Sequence, residues 1–341
     1  MWQNKWKISP RYWPKAILIT FTVFLLAPFR FLEQIFYNRK IKRTNISKSP
    51  IFIIGHWRNG TTHLHNMMSI DKQFAYFNMF EMIYPHLFLG FERLFKPFFA
   101  LTLPKKRPMD NVRISSNTPQ EEENGIANLC GLSINLACVF PNNRERYLKY
   151  GSFDSASEKE ILLWKTTYMK YLKKLSIKNK GKQLLIKSPA QTFRIKLLLE
   201  LFPNAKFIHI KRDPYTTYFS IKKLYQKLFP IYYLQKPKGD DEEIIFHIYK
   251  DFYEHFLRDK KLIPNENYLE ISYENLEINS YDNVRHIYNY FQLKWDEEFS
   301  VDLHNYLKKI IDYQKNVFEI TDEDKKRIYS HWKEIIDLWN Y

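Results

Sequence analysis

The stretch "IFIIGHWRNGTTHL" joins an apolar run, Ile51–Ile54, to a short loop bracketed by Gly55 and Gly60. Thr61 and Thr62 follow at once. A strand, a glycine-bounded loop and a helix start form an anion site, because the free backbone N–H groups of the helix start point outward. Gly60 lets the backbone come close to a ligand, and the two threonines add hydroxyl donors. The loop that grips nucleoside triphosphates reads G-x-x-x-x-G-K-[ST] and uses its lysine on the outer phosphates. Here Thr61 stands in the lysine position, and the cation, Arg58, lies inside the loop. The pattern suits an anion that does not need that lysine.

A second anion grip is offered by "KRDPYTTYFS", where Arg212 and Ser220 are eight residues apart. Arg212 closes a strand and Ser220 lies about two turns into the following helix. A plain Arg–Asp surface pair is the simpler alternative for "KRDP". Lys187 and Tyr273 also close apolar strand-like runs. Strands alternating with helices imply a parallel sheet with right-handed crossovers, whose ligands bind at the carboxyl ends of the strands. Arg58, Lys187, Arg212 and Tyr273 would then meet at one edge.

The elements that must position them are read from patterning. Strands are expected at 51–54, 184–187, 206–211 and in "NYLEIS". Helices are expected at 61–69, 80–100, after Pro189 to about 201, after Pro214, and near 243–261, 280–291, 297–311 and 322–338. Pro119 followed by Glu121, Glu122 and Glu123 reads as a helix start running through Ala137, since proline and acidic residues suit a first turn. Ser155 or Ser157 would cap a long helix reaching about residue 175.

The chain has 341 residues, enough for one large or two modest domains. Its net charge of +16 calls for an anionic partner: a phosphorylated cofactor, nucleic acid or an acidic membrane. The basic residues are dispersed and no zinc-finger or RNP pattern occurs, so nucleic acid is not expected. Cys130 and Cys138 form no C-x-x-C, and the histidines lack ligand spacing, so no metal site is expected.

Residues 16–29 are almost wholly apolar, with basic residues on both sides. Closed by Pro28 and Arg30, such a run spans roughly 20 Å as a helix, short of a bilayer core. A helix on the membrane surface is the favoured reading, ahead of a helix packed on the protein and a short true span. No signal-peptide cleavage pattern follows. Asn59-Gly60-Thr61 is a glycosylation sequon inside the candidate loop, which favours a cytoplasmic chain at the membrane surface. Residues 1–48 are read as an apolar and basic N-terminal segment and 49–341 as the main domain, with peripheral membrane contact through residues 16–36.

Together, "GHWRNGTT", "IKSPAQT", "RDPYTTYFS", "ISYENL" and "QKNVFEI" resemble the sulfotransferase family, over roughly residues 50–335. The likeness is to its broad family-3 branch. The resemblance implies an α/β, P-loop-like three-layer fold with a central parallel sheet flanked by helices. It implies 3′-phosphoadenosine 5′-phosphosulfate as donor and no metal. Arg58 would lie against the 5′-phosphosulfate, and Asn59, Gly60, Thr61 and Thr62 would bind it. Lys187 would stabilise charge on the bridging oxygen. Arg212 and Ser220 would hold the 3′-phosphate, Tyr273 would pack by the adenine, and Lys315 would reach the 3′-phosphate.

Two positions depart from the family. Asn59 stands where a serine is usual, and Ser188 stands near where cytosolic members place a catalytic histidine. A general base must come from elsewhere. Glu121 or Glu123 is favoured on the resemblance, with His56 and Glu81 as alternatives. The aromatic-rich 74–101 region and the N-terminal run point to a lipophilic alcohol, a sterol, lipid or glycolipid. The competing readings are an ATP-dependent kinase or NTPase, and a non-catalytic bisphosphate-binding membrane protein.

Overall fold

Five strands pair in parallel in the order β2-β3-β1-β4-β5: β1 (Ile51–Ile54), β2 (Phe74–Ala75), β3 (Gln183–Lys187), β4 (Lys206–Lys211) and β5 (Tyr268–Ser272). The computed structural model describes residues 4–106, 114–239, 241–311 and 316–341. Four of the strands are those expected from sequence. β2 has only two residues, too few for any periodic signal.

β1 is buried at all four positions, as a parallel strand covered on both faces must be. Alternation sorts its side chains. Ile51 and Ile53 join Leu185, Ile208, Ile210 and Ile271 in a core with Leu64, Met67, Val284, Ile287 and Phe299. Those partners come from the helices Thr61–Met68, Ser280–Tyr290 and Glu297–Ile310. Phe52 and His209 serve the other face: Phe52 meets Phe207 at 5.5 Å, and His209 stacks on Phe256 at 4.1 Å. Helices Glu242–Asp259 and Asp322–Trp339 close that face, with Tyr249 stacked on Trp332 at 3.6 Å. The result is a three-layer α/β fold with helices on both sides of a parallel sheet. These elements make up one compact unit, Lys48–Tyr76, Lys182–Leu224 and Asp241–Tyr341.

A second unit comprises Met1–Ser47, Phe77–Gly181 and Tyr225–Asp240. Three sequence expectations are corrected here. The 80–100 region is two helices, Met79–Ile83 and Glu92–Thr102. Tyr84 leaves the helical region because Pro85 follows it. The helix after Pro119 is Glu122–Cys130 and stops well before Ala137. Gly131 ends it by taking φ +72, a left-handed conformation that costs glycine little.

The third correction is the N-terminal helix. It runs unbroken from Trp13 to Arg43, straight through Pro28. Its 31 residues span about 46 Å, so by length and composition it could cross a bilayer. Contacts just past Pro28 hold the helix together. Phe29 packs edge-on against Phe91 and Phe95. Glu33, buried, accepts N–H bonds from Leu89 and Gly90 and pairs with Lys174 at 2.6 Å. Tertiary contact here overrides the local cost of the proline.

Glu33→Leu should therefore cost about 3–5 kcal/mol, because it strands a buried ammonium and two backbone donors. Urea denaturation measures it; a loss below about 1 kcal/mol, the range of an exposed pair, would contradict the burial argument.

Candidate active site

The loop between β1 and the helix Thr61–Met68 is held from several sides. Gly55 N–H donates to Thr192 Oγ1 at 2.9 Å. Asn59, fully buried, donates through Nδ2 to the Ile210 carbonyl and to Tyr253 Oη, each at 3.0 Å. Its backbone N–H goes to the His56 carbonyl. The amide of Asn59 thus anchors the loop to β4 and to helix Glu242–Asp259. Thr192 and Tyr253 carry no role in the sequence pattern, and only the fold shows them as loop supports.

Gly60 caps the helix with φ +89. A Cβ there would lie 2.1 Å from Tyr273 Cδ2. Tyr273 therefore forms a floor beneath the loop, and its ring also carries the Arg212 guanidinium at 4.2 Å. His63 N–H bonds the Gly60 carbonyl, and the N–H groups of Thr61 and Thr62 have no acceptor within the helix. They face the carboxyl edge of the sheet, as an anion cradle requires.

Arg58 adopts φ +74, unusual for a residue with a side chain. Its carbonyl accepts a bond from Arg212 Nη1 at 2.6 Å, and its own Nε donates to Ser220 Oγ at 2.9 Å. Arg58, Arg212 and the buried Ser220 hydroxyl thus form one cluster. Burial lowers the Arg212 pKa, and the Arg58 charge adds to that. A guanidinium remains protonated even so, and two of them side by side favour an anion between them. Asp213 does not pair with Arg212. It accepts from the N–H groups of Tyr215 and Thr216 and so caps the helix Pro214–Lys227.

Lys187 ends β3 beside Ile53 of β1, and its Nζ donates to Thr62 Oγ1 at 3.3 Å. The edge therefore holds Arg58, Gly60, Thr61, Thr62, Lys187, Arg212, Ser220 and Tyr273 together. The arrangement offers two anion grips: one of loop N–H groups, Thr62 and Lys187, the other of Arg58, Arg212 and Ser220.

The sulfotransferase family pattern matches residues 50–297. This chain belongs to that family. The match replaces the kinase or NTPase alternative: it is a sulfotransferase. Curated relatives in Mycobacterium bovis and Mycobacterium tuberculosis are both named omega-hydroxy-beta-dihydromenaquinone-9 sulfotransferase Stf3. Each is 33% identical across 99% of this chain and 87% of its own length. Among solved structures, sulfotransferase STF9 from Mycobacterium avium superposes with a TM-score of 0.71 at 16% identity, covering 90% of this chain and 81% of that one. STF1 from Mycobacterium tuberculosis gives 0.65 at 17%, covering 89% and 81%.

Glu121 is the N-cap of helix Glu122–Cys130 in the second unit, and Glu122 and Glu123 are fully buried in its first turn. Glu81 is a buried structural acid: it closes a capping box with Asn78 and pairs with Lys178. Burial raises its pKa, and Lys178 opposes the rise. Lys315 lies outside the described residues.

His56 is a buried wedge among Trp57, Tyr249, Phe252 and Tyr253. Burial lowers its pKa to about 3, and its Nδ1 bonds the Trp57 carbonyl. A neutral imidazole held this way supports the loop.

Two predictions follow from this packing. Gly60→Ala should abolish donor-site binding and lower the melting temperature, because both the φ value and the Tyr273 ring oppose a Cβ; calorimetry with adenosine 3′,5′-bisphosphate reads the first, and unchanged affinity would refute the packing. The second concerns acid. A histidine whose folded pKa is depressed stabilises the fold above its unfolded pKa near 6.5 and loses that stability as pH falls toward about 3. His56 alone should give a slope up to about 1.4 kcal/mol per pH unit in that window. Urea midpoints measured against pH should show the decline, and His56→Phe should flatten it.

Proposed function

We propose that this sulfotransferase moves a sulfuryl group from 3′-phosphoadenosine 5′-phosphosulfate to the hydroxyl of a membrane-embedded lipid alcohol. The observation that carries the donor assignment is the cluster of Arg58, Arg212 and Ser220 beside the Gly60–Thr62 loop. Two separated cationic and hydroxyl grips suit a nucleotide with a phosphate at each end. When bound, the donor supplies the sulfuryl group and its 5′-phosphate takes up negative charge as the S–O bond breaks.

Lys187 and the loop N–H groups would meet that charge. Arg212 and Ser220 would hold the 3′-phosphate, with Arg58 shared between the two grips. Tyr273 orders the loop from below, stacks with Arg212 and would pack by the adenine. Asn59 acts by shaping the loop. Glu121 or Glu123 would accept the acceptor's hydroxyl proton, directly or through a water. Residues 49–341 are proposed to form the sulfotransferase portion, and 16–36 to touch the membrane from the cytoplasmic side.

The lipid acceptor is supported by the 33% identity to enzymes named for a hydroxylated menaquinone, and by the exposed apolar side chains of the N-terminal helix. An apolar chain bearing a terminal hydroxyl is the acceptor class proposed.

Arg212→Ala should weaken binding of adenosine 3′,5′-bisphosphate at least about tenfold, consistent with the loss of a charge-assisted contact. Lys187→Ala should lower kcat by about 10²–10³ with a much smaller change in donor affinity. Transfer of labelled sulfate into polyprenyl alcohols, hydroxylated quinols, sterols and glycolipids tests the acceptor. Full activity in both variants would sink the site assignment; transfer confined to water-soluble glycans would sink the lipid assignment.

A further inference from the structure

The helix Glu92–Thr102 carries two apolar stripes, and among the described residues only one of them is used inside the protein. Phe95 lies edge-on to Phe29 at 4.9 Å, and Phe99 packs against Phe80 and Tyr84. The other stripe is Leu94, Pro97, Phe98 and Leu101, spaced as i, i+3, i+4 and i+7 along one helix face. All four are exposed, Phe98 by 65% and Leu101 by 86%.

The N-terminal helix, against which this helix packs, shows the same division. Its less exposed positions, 15, 16, 22, 26, 29, 30, 33, 37, 38 and 41, form an inner stripe, while Phe21, Phe24, Phe31, Ile35 and Phe36 stand exposed. Glu33 is its one acidic residue, and that residue is buried in the pair with Lys174. Turning this helix to cross a bilayer alone would break that pair and free the Leu89 and Gly90 donors. The geometry favours a helix that lies in the membrane plane.

We propose that helix Glu92–Thr102 is a second lipid-inserting element. With the N-terminal helix it would dock the chain on one leaflet of an anionic phospholipid bilayer. The proposal rests on the reading that residues 16–36 meet the membrane. Charge selects lipid over a second copy of the chain. Arg39, Lys40, Lys42 and Arg43 end the N-terminal helix, and Arg93, Lys105 and Lys106 flank the second stripe, all exposed. Cations around each apolar stripe attract anionic headgroups and repel an identical surface. Trp6 and Trp13, stacked and exposed at the start of the N-terminal helix, are the aromatic anchors such an interface uses.

Flotation of the full chain with vesicles of equimolar phosphatidylcholine and phosphatidylglycerol is the test. Wild-type protein should bind, and salt should weaken it. Phe98→Asp with Leu101→Asp, and separately Phe24→Asp with Phe36→Asp, should each cut partitioning at least about tenfold, as loss of two buried apolar side chains implies. Where an Asp pair lowers the melting temperature, the corresponding Ser pair replaces it. Loss of binding in the Phe24/Phe36 pair alone overturns the second element and leaves the N-terminal contact standing. Retained binding in both pairs overturns both membrane readings. A lipid-free dimer, seen by sedimentation and dissolved by the Phe98/Leu101 pair, assigns the stripe to a second copy and overturns the proposal. Bisphosphate affinity, measured on the same variants without lipid, reports the donor site independently.

Discussion

Arg212, at the carboxyl end of β4, donates to the carbonyl of Arg58 inside the β1 loop. Arg58 sits in the left-handed region, where a residue with a side chain rests only under tertiary restraint. That bond supplies the restraint, and it turns the Arg58 side chain toward Ser220. Tyr273, at the end of β5, carries the same guanidinium on its ring and leaves no space above it for anything larger than Gly60. The loop's shape is therefore set by groups from two other strands. The strand order β3-β1-β4-β5 makes those ends neighbours, so the site depends on the sheet being parallel and on this order.

Charge is handled differently in the two units. At the sheet edge, cations gather beside a helix N-terminus, an arrangement that stores positive potential for an anionic ligand. In the helical unit, buried charge is neutralised on the spot: Glu33 by Lys174, and Glu81 by Lys178. Such pairs add little net stability over apolar packing, but they fix one arrangement because either partner alone is costly to bury. The N-terminal helix is fixed in this way, and its outer face is left apolar.

Much of the sheet was legible because buried parallel strands are dense in Ile, Leu and Phe and are punctuated by Gly, Pro and charged residues. The loop was legible because glycine, threonine and arginine at that spacing serve few purposes. β2 was not legible, being two residues long. Pro28 misled, since the contacts of Phe29 and Glu33 that carry the helix past it come from residues between 56 and 141 positions away and appear in no local pattern. The helix end at Cys130 was written in Gly131, whose left-handed conformation outweighed the apolar run beyond it.

Sequence alone determined which residue types reach the carboxyl edge of the sheet, because a side chain one position past a strand end must emerge there. It also determined the family, since five short motifs stand in order along one chain. Tertiary structure decided what each residue does at that edge. Asn59 looks like a ligand contact in the sequence, yet its amide is spent on the Ile210 carbonyl and Tyr253. Arg58 and Ser220 are 162 positions apart and share a hydrogen bond. Hydrogen bonds act over a few ångströms of space, and only folding brings such distant positions within that range.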